Sequence, residues 1–399
     1  MAEAAAKRQP GMSRIIRGIV IGAALALSAC VRPSAPPPEP VRPGPTQPVR
    51  PTTPPPVRPG LPEADTERHR VALLVPMSGT NAGIGRSLNN ATQLAILDLK
   101  ADNVRITTYD TALGATAAAT RALADGNKLI LGPLLAEDAR AIAPLARRAG
   151  VPVLSFSNDT GVAGNGTYVM GYTPAQSIER VVDYARRSGV TEFAGLMPTG
   201  LYGDRASTAF LRAVEGAGGK VTALETYNRG APAMNAAIAR LARSPFQAVL
   251  IADSASGAVT AVPGIRRASP TAKVLGTELW NSDSAVGGMT ALNGSWFASV
   301  SDTLYRTYAG KYRARFGAAP YRLSTLGYDA VLLTVRIARD WRPGDNFPTG
   351  RLSDEGGFGG IDGAFRFGRD GVAERALEVQ EIRGGTTVTV SPAPQGFGR

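Results

Sequence analysis

Arg70-Val-Ala-Leu-Leu-Val-Pro-Met-Ser-Gly-Thr-Asn-Ala-Gly-Ile-Gly-Arg-Ser-Leu88 is the stretch at which the chain becomes a folded domain. Val71 to Val75 is a short, wholly apolar run, the pattern of a parallel strand covered on both faces. Pro76 ends it, and Ser78, Gly79, Asn81, Gly83 and Gly85 follow as a polar, glycine-rich turn. Leu88, Ala91, Leu94, Ala95 and Leu97 then recur at helical spacing and predict a helix over 87–100. Strand, turn and helix make the first half of a βαβ unit, and in open α/β sheets ligands bind at the carboxyl ends of the strands, where this turn sits. Two roles fit its glycines: lining a ligand, or supplying the dihedrals of a tight turn. Neither a dinucleotide fingerprint nor a Gly-Lys-Ser/Thr phosphate loop is completed here.

Downstream, short apolar runs alternate with amphipathic segments, which predicts an α/β protein with parallel sheets. Strands are expected at 71–75, 104–109, 128–132, 151–155 and 167–171, with helices at 114–125 and 136–149. A second series follows: helices at 174–188, 204–217, 231–243 and 255–267, and strands at 192–197, 220–226, 248–252 and 273–277. Helices near 302–316 and 322–340 come next; Leu326, Ala330, Leu333 and Ile337 stripe the latter. The tail, Gly363 to Gly371 and Ala376 to Ile382, reads as strands around an Asp-Gly turn. The folded part is too long for one ordinary core, and two similar α/β lobes with a cleft between them are the economical arrangement.

Upstream lies a different kind of sequence. Lys7, Arg8, Arg14 and Arg17 form a basic start, Ile19 to Leu27 an apolar core, and Leu27-Ser-Ala-Cys30 closes it, so residues 1–30 read as a targeting segment. The closing tetrad resembles the bacterial lipobox, which implies cleavage before Cys30 and a diacylglycerol on its thiol. Several acyl chains hold a membrane far better than one. In diderm bacteria Val31, where an aspartate would retain the protein, resembles the outer-membrane sorting pattern. Residues 31–62 hold 14 of the chain's 30 prolines, and the segment to residue 68 reads as a stiff, extended tether. Thirty such residues at about 3.1 Å each reach roughly 90 Å. Its repeated Val-Arg-Pro units (Val31, Val41, Val49, Val57) fit a solvated spacer and also contact with a partner or an anionic wall polymer.

Composition excludes several activities. Of the net charge of +12, the first 30 residues supply +3 and residues 31–62 another +3. No basic run with interleaved aromatics appears, so nucleic acid is not an expected partner. Cys30 is the single cysteine, which forbids an intrachain disulfide and a paired-cysteine metal site. The single histidine, His69, stands at the junction of tether and domain and is read as solvated. One histidine rules out a Ser-His-Asp triad in that position and a histidine-rich metal centre. Neither Gly-x-Ser-x-Gly nor Ser-x-x-Lys occurs. No enzyme activity, metal or cofactor is therefore expected.

Val71-Ala-Leu-Leu-Val-Pro-Met-Ser-Gly79, Leu131-Gly-Pro133, Val151-Pro-Val-Leu-Ser155, Gly327-Tyr-Asp-Ala330 and Gly360-Ile-Asp-Gly-Ala-Phe-Arg-Phe367 resemble, in order, type I periplasmic binding proteins of the Leu/Ile/Val-binding group. Within that group the chain is most similar to lipoprotein activators of penicillin-binding proteins, of which alphaproteobacterial-type members pair this domain with a lipobox and a proline-rich spacer. The helical-repeat domain that precedes it in enterobacterial activators has no counterpart in this sequence. The resemblance implies a bilobal domain over 69–399: lobe 1 at about 69–172 and 299–374, lobe 2 at about 173–298 and 375–393.

An amino acid buried in such a cleft needs hydroxyls or amides for its carboxylate and an acid for its ammonium. Ser78, Asn81, Ser155 and Ser157 are the first-lobe candidates. Tyr202 lies in a Tyr-Gly motif similar to one in the family's cleft. Asp253 and Glu278 end successive strands and are candidate ammonium partners, and Trp280 is placed to cover an apolar side chain. Each also has a plainer role: the polar residues as helix caps and turn formers, Trp280 as core. The family's Gly-Pro-x-x-Ser pattern stands here as Gly132-Pro-Leu-Leu-Ala136, without the serine that helps grip a substrate.

Two functions follow as expectations. In one, an outer-membrane lipoprotein facing the periplasm docks on a class A penicillin-binding protein. In the other, a solute receptor serves an uptake system for branched-chain or related amino acids.

Overall fold

The computed structural model describes residues 67–283 and 285–397. Cys30 and nearly all of the tether lie outside them. The first lobe opens with β1 (His69–Val75), α1 (Ala82–Leu99), β2 (Val104–Asp110), α2 (Ala115–Ala124), β3 (Leu129–Leu131), α3 (Ala136–Arg148), β4 (Val153–Ser155) and β5 (Thr167–Val169). Its five strands are parallel, in the order β2-β1-β3-β4-β5. The chain then crosses to α4 (Pro174–Arg187), β6 (Glu192–Pro198), α5 (Leu201–Gly216), β7 (Lys220–Tyr227), α6 (Ala231–Leu241), β8 (Ala248–Ile251), α7 (Ala255–Ala268), β9 (Lys273–Gly276) and β10 (Trp296–Ser299). It returns through α8 (Thr303–Phe316) and α9 (Thr325–Ile337) to a small sheet, β11 (Phe358–Gly360), β12 (Gly363–Phe367) and β13 (Ala373–Arg375). A last crossing delivers β14 (Glu378–Arg383) and β15 (Thr386–Ser391) to the second lobe, whose sheet runs β15-β14-β10-β9-β8-β6-β7. This is a two-lobed α/β fold.

The apolar run of β1 is explained by its two covered faces. Val71, Leu73 and Val75 pack with Leu88, Leu326 and Leu333, whereas Ala72 and Leu74 pack with Ala119, Ile130 and Ile142. All five strand residues are fully buried, each large one contributing about 1.5–3 kcal/mol of apolar transfer. In the second lobe β6 repeats the scheme, with Phe193 and Met197 against Ile178 and Phe210, and Ala194 and Leu196 against Ile238 and Val262.

In each lobe the helix that follows the first strand packs against the end of that strand through a glycine. A Cβ on Gly85 would come within 1.8 Å of the Pro76 carbonyl oxygen, and one on Gly203 within 1.6 Å of that of Pro198. Helix α1 consequently begins at Ala82, earlier than the periodicity predicts, and takes Gly83 and Gly85 into its first turns.

Two further expectations are corrected, and two strands were not foreseen. His69 is not solvated: it is 2% exposed and stacks on Trp341 with ring centroids 4.1 Å apart, because β1 starts at this residue and α9's C-terminal side covers it. The Asp370-Gly371 turn joins β12 to β13, while the following segment, β14, pairs antiparallel with β10 in the other lobe. Strands β10 and β15 carry signals too short or too polar to mark them. No helix among the described residues is long and apolar enough to cross a membrane.

Candidate functional site

The chain crosses between the lobes after β5, after β10 and after β13, and a small cavity lies where these crossings meet. Tyr172, Ser177, Glu278, Asn281, Arg322 and Arg375 are among the residues that line it. Its volume is about 20 Å³, room for one water molecule. Behind it is a buried ionic cluster. Arg322 donates from Nη1 to Asp362 Oδ1 at 2.6 Å, and Thr325 Oγ1 donates to Asp362 Oδ2 at 2.7 Å. The Tyr172 hydroxyl donates to the same carboxylate. Arg375 stacks against Tyr172 and Phe365 and donates to the Met170 carbonyl at 2.7 Å.

Asp329 and Asp362 are both fully buried, and their acidities diverge. Burial and the neighbouring Asp362 charge push the Asp329 carboxyl up to about 7, against Arg375. Burial acts on Asp362 in the same direction, but Arg322 and Arg375 overcome it and hold that carboxyl below its usual range.

In the second lobe Glu278 is gripped by the protein itself. Ser177 Oγ donates to Oε2, and Tyr202 OH donates to Oε1 at 3.0 Å. Burial raises its pKa despite these bonds. The Tyr202 hydroxyl also lies 3.0 Å from Thr277 Oγ1. Tyr202 and Glu278 are thus brought together, and of the eight candidate cleft residues Glu278 alone lines the cavity.

The first-lobe candidates are engaged locally. Asp110, at the end of β2, accepts Met77 N–H and Ala112 N–H at Oδ1 (2.8 and 2.9 Å) and Ser78 Oγ at Oδ2 (2.7 Å). Burial works to raise the Asp110 pKa, yet these donors leave it lowered. Asn81 stands at the N-cap of α1 without a capping side-chain bond. Ser155 Oγ donates to the Pro133 carbonyl at 3.1 Å and accepts Ser157 N–H, and Ser157 Oγ accepts Asp159 N–H. Asp253 accepts Tyr227 OH at 2.5 Å and Ser254 N–H at 2.7 Å. Trp280 is fully buried against Phe297, its Nε1 donating to the Asp253 carbonyl at 3.1 Å.

Sequence reasoning did not name Ser177, Arg322, Arg375, Asp329 or Asp362 as site residues, although Asp329 and Asp362 lie in two of the stretches that carry the family resemblance. Asp329 had a signal: it is the lone charge within the apolar face of α9. Nor was the link between lobes foreseen, in which Asp159 binds Arg205 of α5 and Arg140 of α3.

A family model described as periplasmic binding protein matches residues 69–386, and the chain belongs to that family. The arrangement of lobes is that of type I members, in agreement with the sequence resemblance. One solved structure similar to it is a putative branched-chain amino acid ABC transporter protein from Rhodospirillum rubrum. That match has a TM-score of 0.72 and 21% identity, over 81% of this chain and 100% of that one. Another is the C-domain of LpoA from Haemophilus influenzae, described as a regulator of PBP1A, with TM-score 0.62 and 18% identity over 80% and 99%. Among curated proteins, RP748 of Rickettsia prowazekii is 25% identical over 134 residues. That match spans 33% of this chain and 36% of the relative.

Proposed function

We propose that this protein is a lipid-anchored periplasmic regulator that acts by binding a class A penicillin-binding protein. The observation that carries the reading is that the polar groups suited to an amino-acid ligand are already used. The Asp110 carboxylate takes Met77 N–H and Ser78 Oγ–H in the first-lobe turn, and Ser177 and Tyr202 take the Glu278 carboxylate. A ligand carboxylate would compete with an internal one already held at 2.7–2.9 Å. Ala136 in place of the family's serine, the Leu27-Ser-Ala-Cys30 lipobox and the proline-rich tether agree with it, as does likeness to a domain described as a PBP1A regulator. Such a protein acts without chemistry of its own: it stabilises one state of its partner, by no more than its differential affinity for the partner's states.

The receptor reading retains one observation in its favour. Glu278, hydrogen-bonded to Tyr202, presents a second-lobe carboxyl at the cavity of the kind that suits an ammonium group, and proteins described as amino-acid transporters share the fold. The two readings separate by experiment. The protein is expected to bind a class A penicillin-binding protein of its host and raise its glycosyltransferase or transpeptidase rate. An affinity in the micromolar range suffices, because the tether supplies effective concentration. Absence of binding and of any rate change would overturn the regulator. A rise in melting temperature with leucine or a relative, removed by Glu278→Gln and Tyr202→Ala, would install the receptor.

A further inference from the structure

The hinge cavity has a donor surplus that neither reading uses. Arg322 and Arg375 are each 8% exposed, and both line it. Arg322 spends Nη1 on Asp362 and Thr325, yet Nε and Nη2 have no acceptor in the protein. Nη2 stands 3.6 Å from Asp302 Oδ1, beyond hydrogen-bond length. Arg375 spends Nη2 on the Met170 carbonyl, and its Nε and Nη1 also have no acceptor, Nη1 lying 4.0 Å from Asp329 Oδ2. Buried N–H groups of charged side chains are the costliest to leave unpaired. A water molecule brings two lone pairs together with two protons that need acceptors of their own. A negative ion brings only acceptor capacity, which is the complement of four donor nitrogens on two guanidinium groups.

The opposite wall does not oppose this. Glu278 is occupied by Ser177 and Tyr202, and its burial favours the uncharged form. Asn281 turns Nδ2 towards the Val300 carbonyl and Asp302 Oδ1, both at 3.4 Å.

We propose that this cavity is a site for one small monovalent anion, a chloride ion or the carboxylate of a small acid, held between Arg322 and Arg375. The four nitrogens are covered in the present arrangement, so chloride needs a small shift of the lining side chains and a carboxylate a larger one. Arg322 belongs to the first lobe, Arg375 to a crossing, and Ser177 and Glu278 to the second lobe. The anion therefore joins the two lobes at their hinge. The proposal does not depend on the regulator reading.

The test uses the full chain at constant ionic strength in sodium salts of chloride, bromide, formate and the bulky 2-(N-morpholino)ethanesulfonate. Chloride or formate is expected to raise the melting temperature saturably, by about 2–4 °C over the bulky reference. Arg322→Lys, which keeps the charge and loses the fork, is expected to abolish the rise. Because that variant also touches Asp362, crystals of the unaltered protein give the second measurement. An anomalous bromide peak between Arg322 and Arg375 supports the halide, and ordered formate there supports the carboxylate. Water alone at that position in both soaks overturns the proposal. So does a melting temperature that rises equally with all four salts.

Discussion

Arg205, on helix α5 of the second lobe, is ion-paired with Asp159 of the first lobe, whose side chain is only 2% exposed. Burial by itself would raise the Asp159 pKa, but the Gly161 N–H bond and the charges of Arg205 and Arg140 hold it below the usual value. A depressed carboxylate contributes stability that is complete above its unfolded pKa and lost as pH falls through the folded one. Arg205→Met is therefore expected to destabilise the protein by about 1–3 kcal/mol at pH 7, because Asp159 keeps Arg140 but loses its link to the other lobe. Small-angle scattering is expected to show a larger radius of gyration. The cost should begin to shrink as pH falls below about 4, where the unfolded chain takes up the proton, and vanish once pH has passed the lowered folded value of Asp159. An unchanged radius would mean that other contacts hold the lobes together.

Asp110, although only partly buried, organises the first turn of the domain. Asp110→Ala removes the acceptor for Met77 N–H, Ser78 Oγ–H and Ala112 N–H, and a loss of about 1–3 kcal/mol is expected in denaturant titrations. The same substitution frees these donors, so it is the variant in which weak amino-acid binding would first become measurable. Calorimetry with leucine compares it with the parent. Tighter binding by the parent would show that Asp110 is not a competitor.

Asp329 supplies a pH dependence of the opposite sign. Its carboxyl is raised by burial and by Asp362, so between the ordinary carboxylate range and about pH 7 the folded state holds a proton that the unfolded chain has released. Stability therefore falls as pH rises through that window, and the contribution levels off above it. Asp329→Asn, which keeps an acceptor for Ile361 N–H, is expected to flatten the fall. Chemical denaturation at pH 4.5, 6 and 7.5 measures it; parallel curves for the two proteins would assign the slope elsewhere.

The anchor rests on Leu27-Ser-Ala-Cys30. In cells Cys30→Ala is expected to abolish palmitate labelling and leave the precursor uncut. Persistent labelling would end the lipoprotein assignment.

Deleting about 20 residues of 33–62 shortens a segment whose proline content marks it as a solvated tether, so the melting temperature is expected to stay within about 1 °C while function in cells declines. A large drop would mean that the segment packs on the domain.

The sequence by itself determined the α/β class and most of the elements, because burial writes a local record. Val71 to Val75 is apolar at every position since neighbours cover both faces, and the stripe Leu326, Ala330, Leu333, Ile337 marks one side of a single helix. Glu278 was legible too, as a polar residue at a strand end, and Tyr202 through its likeness to a family motif. Only the tertiary structure decided what these groups do. Ser78 meets Asp110 across 32 residues, Arg322 meets Asp362 across 40, and Ser177 meets Glu278 across 101. A hydroxyl or carboxylate looks alike in sequence whether it faces a ligand or an internal partner, since pairing is set by which strand ends and crossings converge. The same holds for His69 and β14. Their neighbours, Trp341 and β10, are brought to them by chain that returns from far along the sequence, and no local pattern records that return.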